Sequence, residues 1–174
     1  RTAVGPLAGS AGSYLLTRLA RNKNLLVAVT PDSQSAHQLL RELAFFTRDL
    51  ELTVRSLPDW ETLPYDHFSP HQDIVSERLE TLYHLPQSVN GILVIPVSTL
   101  MHRLPPRHYI AANSLMLDLG QQLDLDRLRL DLESSGYRNV ETVQEHGDYA
   151  LRGSLFDIYP MGSELPYRID LLDD

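Results

Sequence analysis

Short apolar runs and helical apolar stripes alternate along the first half of the chain. The continuous apolar run at residues 25–29 predicts a strand that is buried on both faces. The next apolar residues follow helical spacing and predict a helix with one face against the sheet: Ala36, Leu39, Leu40, Leu43 and Phe46. Residues 52–54 and 92–95 predict two further strands. Strands separated by helices are typical of an α/β domain with a parallel sheet.

Residues 57–70 interrupt this alternation because they are rich in proline and aromatic residues. Proline removes a backbone donor and restricts the residue before it, so the segment predicts a long ordered loop. At its end, Ser69 is predicted to cap a helix with Pro70 at the first position and Gln72 at the third. Ser98 is predicted to cap a second, brief helix.

The pattern changes after the proline pair at residues 105–106. Asp124 is predicted to cap a helix that ends before Gly136. Strands are predicted at residues 114–119, 140–143, 151–159 and 167–172. One helix combined with several strands is typical of a small α+β domain. We therefore expect two domains, at residues 1–110 and 111–174, and we expect the chain to end inside a larger protein.

Charge and composition favour a protein partner over nucleic acid or a membrane. The 174-residue chain has 15 Lys and Arg residues against 23 Asp and Glu residues. The basic residues are scattered, whereas a nucleic-acid interface usually needs a clustered basic face. All but one are arginines, which suit bidentate binding of carboxylates. With no cysteine and no apolar run near the roughly 20 residues of a membrane span, we expect a cytoplasmic protein without a membrane contact or a thiolate metal site.

A loop of small residues precedes the first predicted strand and leads into a helical run. Part of it has the composition of a phosphate-binding loop: Gly9, Ser10, Ala11, Gly12 and Ser13. A working phosphate loop needs a lysine to neutralise the phosphates and a hydroxyl side chain to hold magnesium. Gly12 occupies the lysine position, and only Ser13 agrees with the template. Two interpretations stay open, a degenerate nucleotide site and an ordinary entry to a helix, and neither predicts catalysis.

The last predicted strand separates its side chains onto two faces, because alternate residues of a strand share a face. One face is predicted to pack into the core: Tyr167, Ile169 and Leu171. The other face combines an arginine, an acid and an apolar side chain, which suits a protein interface: Arg168, Asp170 and Leu172. A simpler interpretation of Arg168 is a cross-strand ion pair with Asp157 or Asp170. A simpler interpretation of Arg152 is that it flanks a bulge at Gly153.

Two long stretches, residues 57–73 and 145–160, closely resemble the N-terminal module of bacterial transcription-repair coupling factors. Through that family, nearly the whole chain resembles the start of the excision-repair protein UvrB. The resemblance implies a degenerate helicase-like domain, related to P-loop NTPases, followed by a small α+β domain. It also implies that this chain is not an enzyme and holds no cofactor, since ATP and magnesium would act at the motor of the full-length translocase.

The resemblance also implies a partner for the second domain, the damage-recognition ATPase UvrA. Arg152 and Arg168 match the arginines that bind UvrA in this family, and Leu172 stands where relatives can have phenylalanine. Regions outside this chain would contact RNA polymerase and DNA, and the chain itself is expected to be a monomer. Two alternatives stay open: a residual nucleotide-binding module, and a clamp that masks the binding face against other domains of the same protein.

Overall fold

The computed structural model describes residues 4–22, 25–62, 67–112, 114 and 117–171. The chain forms two compact units. The first combines the N-terminal segment up to Phe68 with His84–Leu104, and the second combines Ser69–Tyr83 with the chain from Pro105 onward.

Helices and strands of the described residues alternate in the first unit and are followed by a strand-rich region. The helices are α1 (Ala11–Ala20), α2 (Ser33–Thr47), α3 (Gln72–His84), α4 (Arg107–Ala112) and α5 (Leu125–Ser134). The strands are β1 (Leu25–Thr30), β2 (Val54–Ser56), β3 (Gly91–Pro96), β4 (Arg138–Asn139), β5 (Asp148–Arg152), β6 (Leu155–Ile158) and β7 (Tyr167–Asp170). Two short 3₁₀ helices lie at Leu85–Gln87 and Thr99–Met101. The predicted mixed α/β architecture is confirmed.

The first unit packs α1 and α2 against one face of a parallel sheet with the strand order β1-β3-β2. Its buried core is formed by Ala20, Ala28, Ala36, Leu43, Ile92 and Val94. On the other face of β1, Val27 and Val29 are 54% and 51% exposed. Strand β1 is therefore confirmed, but its predicted burial on both faces is wrong. The reason is that β1 is an edge strand, and the two helices cover only the face that carries Ala28.

Helix α3 confirms the helix predicted after the proline-rich segment, but it begins at Gln72 instead of Pro70. The backbone carbonyl of His71 accepts hydrogen bonds from the amides of Ile74 and Val75. The ring nitrogen Nδ1 of His71 also accepts a hydrogen bond from the amide of Asp73 at 3.3 Å, so His71 takes the side-chain capping role that the sequence pattern gave to a serine.

The brief helix predicted after Ser98 is the 3₁₀ helix Thr99–Met101. Ser98 does not cap it through its side chain, because the hydroxyl donates to Asp59 Oδ2 instead. The described part of the proline-rich segment, residues 57–62 and 67–70, contains neither helix nor strand, as predicted. Residues 63–66 lie outside the described residues.

In the second unit, α5 forms where the sequence predicts it. Asp124 Oδ1 accepts a hydrogen bond from the amide of Arg127 at 3.0 Å, which is the expected cap. Leu128 and Leu132 are buried, and Gly136 follows the helix with φ of 88°, in the left-handed region that favours glycine. The helix packs its leucines against the core side of the second sheet: Tyr149, Phe156 and Ile158, with Ile169 and Leu171 at the edge.

The second sheet has the order β4-β5-β6-β7, in which β4 and β5 are parallel and the other pairs antiparallel. The single strand predicted at 151–159 is wrong: the chain turns back between β5 and β6, with Gly153 at φ of 59°. The strand predicted at 140–143 is also wrong. The carboxylate of Asp148 accepts the amides of Gln144 and Glu145 there, and these bonds hold a turn.

The remaining predictions for this region have mixed outcomes. The strand predicted at 114–119 falls partly outside the described residues, and its described positions, 114 and 117–119, are not in a strand. Helix α4 was not predicted. No helix in the described ranges is long and apolar enough to cross a membrane.

The two compact units are not the two segments that the sequence pattern separates at residue 110. Most of α3 groups with the second unit. The amide of Gly162 donates to Ser76 Oγ on α3 at 2.8 Å, and His146 Nδ1 lies 2.9 Å from Asp73 Oδ1 near the start of α3. These bonds join α3 to the loops of the second sheet.

Candidate protein-binding face

The second sheet brings the two candidate arginines onto one face. Across the strands, Arg152 lies opposite Leu155, and Arg168 lies opposite Asp157. Directly opposed residues and alternate residues along a strand share a face. This face points away from the core residues Tyr149 and Phe156 and carries Arg152, Leu155, Asp157, Arg168 and Asp170, which we call the arginine face.

Arg168 and Asp157 form a bidentate ion pair at the centre of the arginine face. Arg168 Nε donates to Asp157 Oδ1 at 2.6 Å, and Nη2 donates to Oδ2 at 2.8 Å. The hydrogen bonds from Arg168 lower the pKa of Asp157, and the same contact raises the pKa of Arg168. The cross-strand pair that the sequence left open as a simpler interpretation is therefore present.

The ion pair leaves the guanidinium accessible. The side chain of Arg168 is 63% exposed, whereas that of Asp157 is 17% exposed. The acid thus lies beneath the arginine, and the outer layer at this point of the face is cationic. Arg168 can therefore form the cross-strand ion pair and still contact a partner.

Arg152 lies beside this pair at the end of β5. It is exposed, and its charge contributes to the lowered pKa of Asp157, after the larger effect of Arg168. Gly153 follows it in the β5–β6 turn, so the predicted bulge at this glycine is wrong. The third predicted contact residue, Leu172, lies outside the described residues.

The predicted core side of β7 is confirmed for two of its three residues. Ile169 and Leu171 pack against the core of the second unit. Tyr167 is 57% exposed, so its assignment to the core is wrong. Tyr167 begins the edge strand β7, where the sheet no longer has a neighbour on that side.

The small-residue loop of the first unit places Ser13 against an acid. Gly9 has φ of 53° and precedes α1, which begins at Ala11. The buried Ser13 hydroxyl donates to Glu42 Oε2 on α2 at 2.5 Å, and Gln38 Nε2 donates to Oε1 at 3.0 Å. Both hydrogen bonds lower the pKa of Glu42, and the bond from Ser13 has the larger effect. The side chain that would hold magnesium in a phosphate loop is therefore bound to a carboxylate.

A cleft of about 460 Å³ lies over this part of α2. Its lining residues are Ser10, Gln38, Arg41, Glu42, Phe45 and Phe46. A carboxylate at this place opposes a phosphate group, because two anions repel each other. Gly12, at the lysine position of the template, contributes no charge. Sequence reasoning missed Glu42 because it lies 29 positions from Ser13 and belongs to a different helix.

Sequence reasoning also missed a buried histidine cluster in the second unit. His146 Nε2 donates to the carbonyl of Ser163 at 2.8 Å, Nδ1 lies 2.9 Å from Asp73 Oδ1, and the ring lies 4.1 Å from that of Tyr159. This cluster fixes the loops that lead into β5 and β7, the strands that carry Arg152 and Arg168. Within the described part of the chain, no group of at least three His, Asp or Glu side chains could hold a metal ion.

Most of the second unit matches a known protein family. Residues 115–174 match the family described as the UvrB interaction domain. The match covers α5 and β4 to β7, and so includes the whole arginine face.

The whole chain is similar to part of transcription-repair-coupling factors. It is 49% identical over 172 residues to that of Escherichia coli strain K12, which is 98% of this chain and 15% of the relative. The identity is 51% over 154 residues for Haemophilus influenzae, covering 88% of this chain and 13% of the relative. It is 33% over 174 residues for Myxococcus xanthus, covering 97% and 14%. The resemblance recognised from the sequence is confirmed, and the chain spans about one seventh of the length of these relatives.

Proposed function

We propose that this chain is a non-catalytic adaptor that binds UvrA and thereby brings excision repair to stalled RNA polymerase. The match to the UvrB interaction domain supports the kind of partner. The observation that carries the proposal is the arginine face, where Arg152 and Arg168 are exposed on one side of the sheet. RNA polymerase and DNA would be bound by other regions of a full-length coupling factor.

The chemistry of the arginine face suits a protein partner. Guanidinium groups present several N–H donors in a fixed plane and pair with carboxylates or carbonyls in two places at once. Arginine is among the residues that most often dominate the binding energy of an interface. The half-buried Leu155 lies between the charged residues and adds apolar surface to the contact.

The first unit supports the non-catalytic part of the proposal. We infer a helicase-like domain with a degenerate phosphate loop, because a parallel sheet follows the Gly9–Ser13 segment and its helix. Gly12 replaces the lysine, and Ser13 is bound to Glu42. The charge that would stabilise a triphosphate is absent from this loop, and a negative charge lies beside it.

Titration of the chain with purified UvrA tests the proposal. Arg152→Ala and Arg168→Ala are each expected to weaken binding by more than about tenfold, since each removes an exposed anchor. Thermal melting should stay near that of the unaltered chain, because exposed ion pairs contribute little to stability.

Arg127→Ala is the matched control for this experiment. Arg127 is 80% exposed on α5, which packs against the core side of the sheet, opposite the arginine face. Its removal changes the net charge by the same amount and should leave the UvrA affinity unchanged. Unchanged binding in both Arg152 and Arg168 variants would contradict the proposed function.

A further inference from the structure

The arginine face contains an acid, Asp157, whose place beneath Arg168 needs an explanation. Asp157 uses both carboxylate oxygens on Arg168, through Nε and Nη2. Arg152 is also near enough to lower the pKa of Asp157. Without Asp157, the arginine face would have a more positive potential and would attract oxygen acceptors more strongly. The presence of Asp157 therefore indicates a role that does not depend on its charge.

The geometry of the pair fixes the direction in which Arg168 offers its remaining donors. Two contacts to one carboxylate hold the guanidinium in the plane of that carboxylate. The contacts occupy Nε–H and one hydrogen of Nη2, so with respect to the described residues both hydrogens of Nη1 and the second hydrogen of Nη2 stay available. Because the arginine is 63% exposed and the acid 17% exposed, the available edge faces solvent.

We propose that Asp157 is a positioning residue for UvrA binding, which holds the Arg168 guanidinium so that Nη1 and Nη2 meet carboxylate or carbonyl oxygens of the partner. This inference rests on the proposed function. A free arginine side chain has many rotamers, and binding must select one of them. Asp157 selects the rotamer before the partner arrives, so less conformational entropy is lost on association.

The direction in which the Asp157→Asn substitution changes the UvrA affinity distinguishes a positioning role of Asp157 from an effect of its charge. Asp157→Asn removes a negative charge from a face that binds oxygen acceptors, so a pure charge effect tightens binding. The same change replaces one oxygen by an NH₂ donor, which faces an arginine N–H and breaks the bidentate contact. A positioning role therefore predicts weaker binding, against the electrostatic trend.

The experiment is a double-mutant cycle measured as UvrA affinity of the whole chain. We expect Asp157→Asn to weaken binding by about tenfold, and to change it by less than about twofold when Arg168 is already alanine. Asp126→Asn is the matched control, because it makes the same chemical change at an exposed acid of α5, which packs against the core side of the sheet and not on the arginine face. This control should leave the UvrA affinity unchanged.

Two further measurements keep the inference testable if Asp157→Asn folds poorly. Arg168→Lys keeps both Asp157 and the charge but removes the planar fork, and it should weaken binding by a similar factor. The ¹⁵N relaxation of the Arg168 Nε–H should report an ordered side chain in the free protein and a mobile one after Asp157→Asn. If the ion pair only stabilised the fold, the order of the Arg168 side chain and the UvrA affinity would not change together.

The outcomes distinguish the two proposals. If Arg168→Ala weakens UvrA binding and Asp157→Asn does not, the positioning role is overturned and the proposed function stands. An equal loss from Asp157→Asn with and without Arg168 would also overturn the positioning role. If neither Arg152→Ala nor Arg168→Ala affects binding, the proposed function itself fails.

Discussion

At the scale of single residues, backbone geometry decides which glycines of the first unit can be replaced. Gly91 opens β3 with φ of 127°, and a Cβ atom there would lie 2.5 Å from the carbonyl oxygen of Thr53. That carbonyl accepts the amide of Ile92, which ties β3 to the residue before β2. Gly12 differs, since a Cβ atom there would meet nothing within 4 Å.

Gly91→Ala is therefore expected to lower the free energy of unfolding by about 2 kcal/mol or more, through strain and the clash with Thr53. Gly12→Ala lies in α1 and is expected to stabilise the chain by up to about 1 kcal/mol, because alanine favours the helix. Urea denaturation of both variants measures the difference. Equal effects of the two substitutions would contradict this view of the sheet junction.

At the scale of elements, Glu42 joins α2 to α1 through the buried Ser13 hydroxyl. The hydrogen bonds lower the pKa of Glu42 in the folded chain below 4.5. The ionised carboxylate thus contributes stability at neutral pH, and this contribution is lost as the pH falls through the lowered value. The contact links the two helices that cover the first sheet.

Glu42→Gln is expected to lower the denaturation midpoint at neutral pH, and the difference from the unaltered chain should shrink as the pH falls below 4.5. Glu51→Gln is the control, because Glu51 is exposed and its removal tests net charge alone. Chemical denaturation at several pH values makes the comparison. A Glu42→Gln deficit that stays constant down to low pH would contradict the ionised contact.

Elements with a strong local pattern could be predicted from the sequence, and those set by distant contacts could not. Helix α2 follows from its apolar stripe, and α5 from its stripe and the Asp124 cap. The turn between β5 and β6 was missed because the apolar residues on both sides of Gly153 read as one strand. The start of α3 was misplaced because His71, and not a serine, satisfies its first amides.

The same distinction applies to the candidate sites. Strand alternation predicts the side of the sheet on which Arg168 lies. The role of Arg152 as a contact residue, in contrast, is implied only by the family resemblance. The pairing of Arg168 with Asp157 depends on the register between β6 and β7. The sequence alone allowed a pair with either Asp157 or Asp170. The contact of Ser13 with Glu42 needs the packing of α1 on α2, and local sequence carries no signal for it.

At the scale of the whole molecule, the two units differ in the chemical groups that they offer to a ligand. The first unit is a parallel sheet with α1 and α2 on one face, and a carboxylate lies beside the loop that precedes α1. The second unit matches the UvrB interaction domain and carries the arginine face. The chain is therefore expected to act by binding a protein and not by turning over nucleotide.

Thermal melting with ATP or ADP and magnesium at millimolar concentration tests this expectation for the first unit. A ligand that binds only the folded state raises the melting temperature, and the rise continues with the logarithm of the ligand concentration above the dissociation constant. We expect no shift, because neither Gly12 nor Ser13 can stabilise the phosphates. An upward shift that grows with nucleotide concentration would favour the residual nucleotide-binding alternative.

The central claim is that the chain works through one face of its second sheet. Amide hydrogen exchange of the chain, free and saturated with UvrA, locates the contact directly. We predict slower exchange in the β5–β6 turn and along β7, with α1 and α2 unchanged. Protection confined to α1 and α2, or no protection under saturating UvrA, would contradict the account.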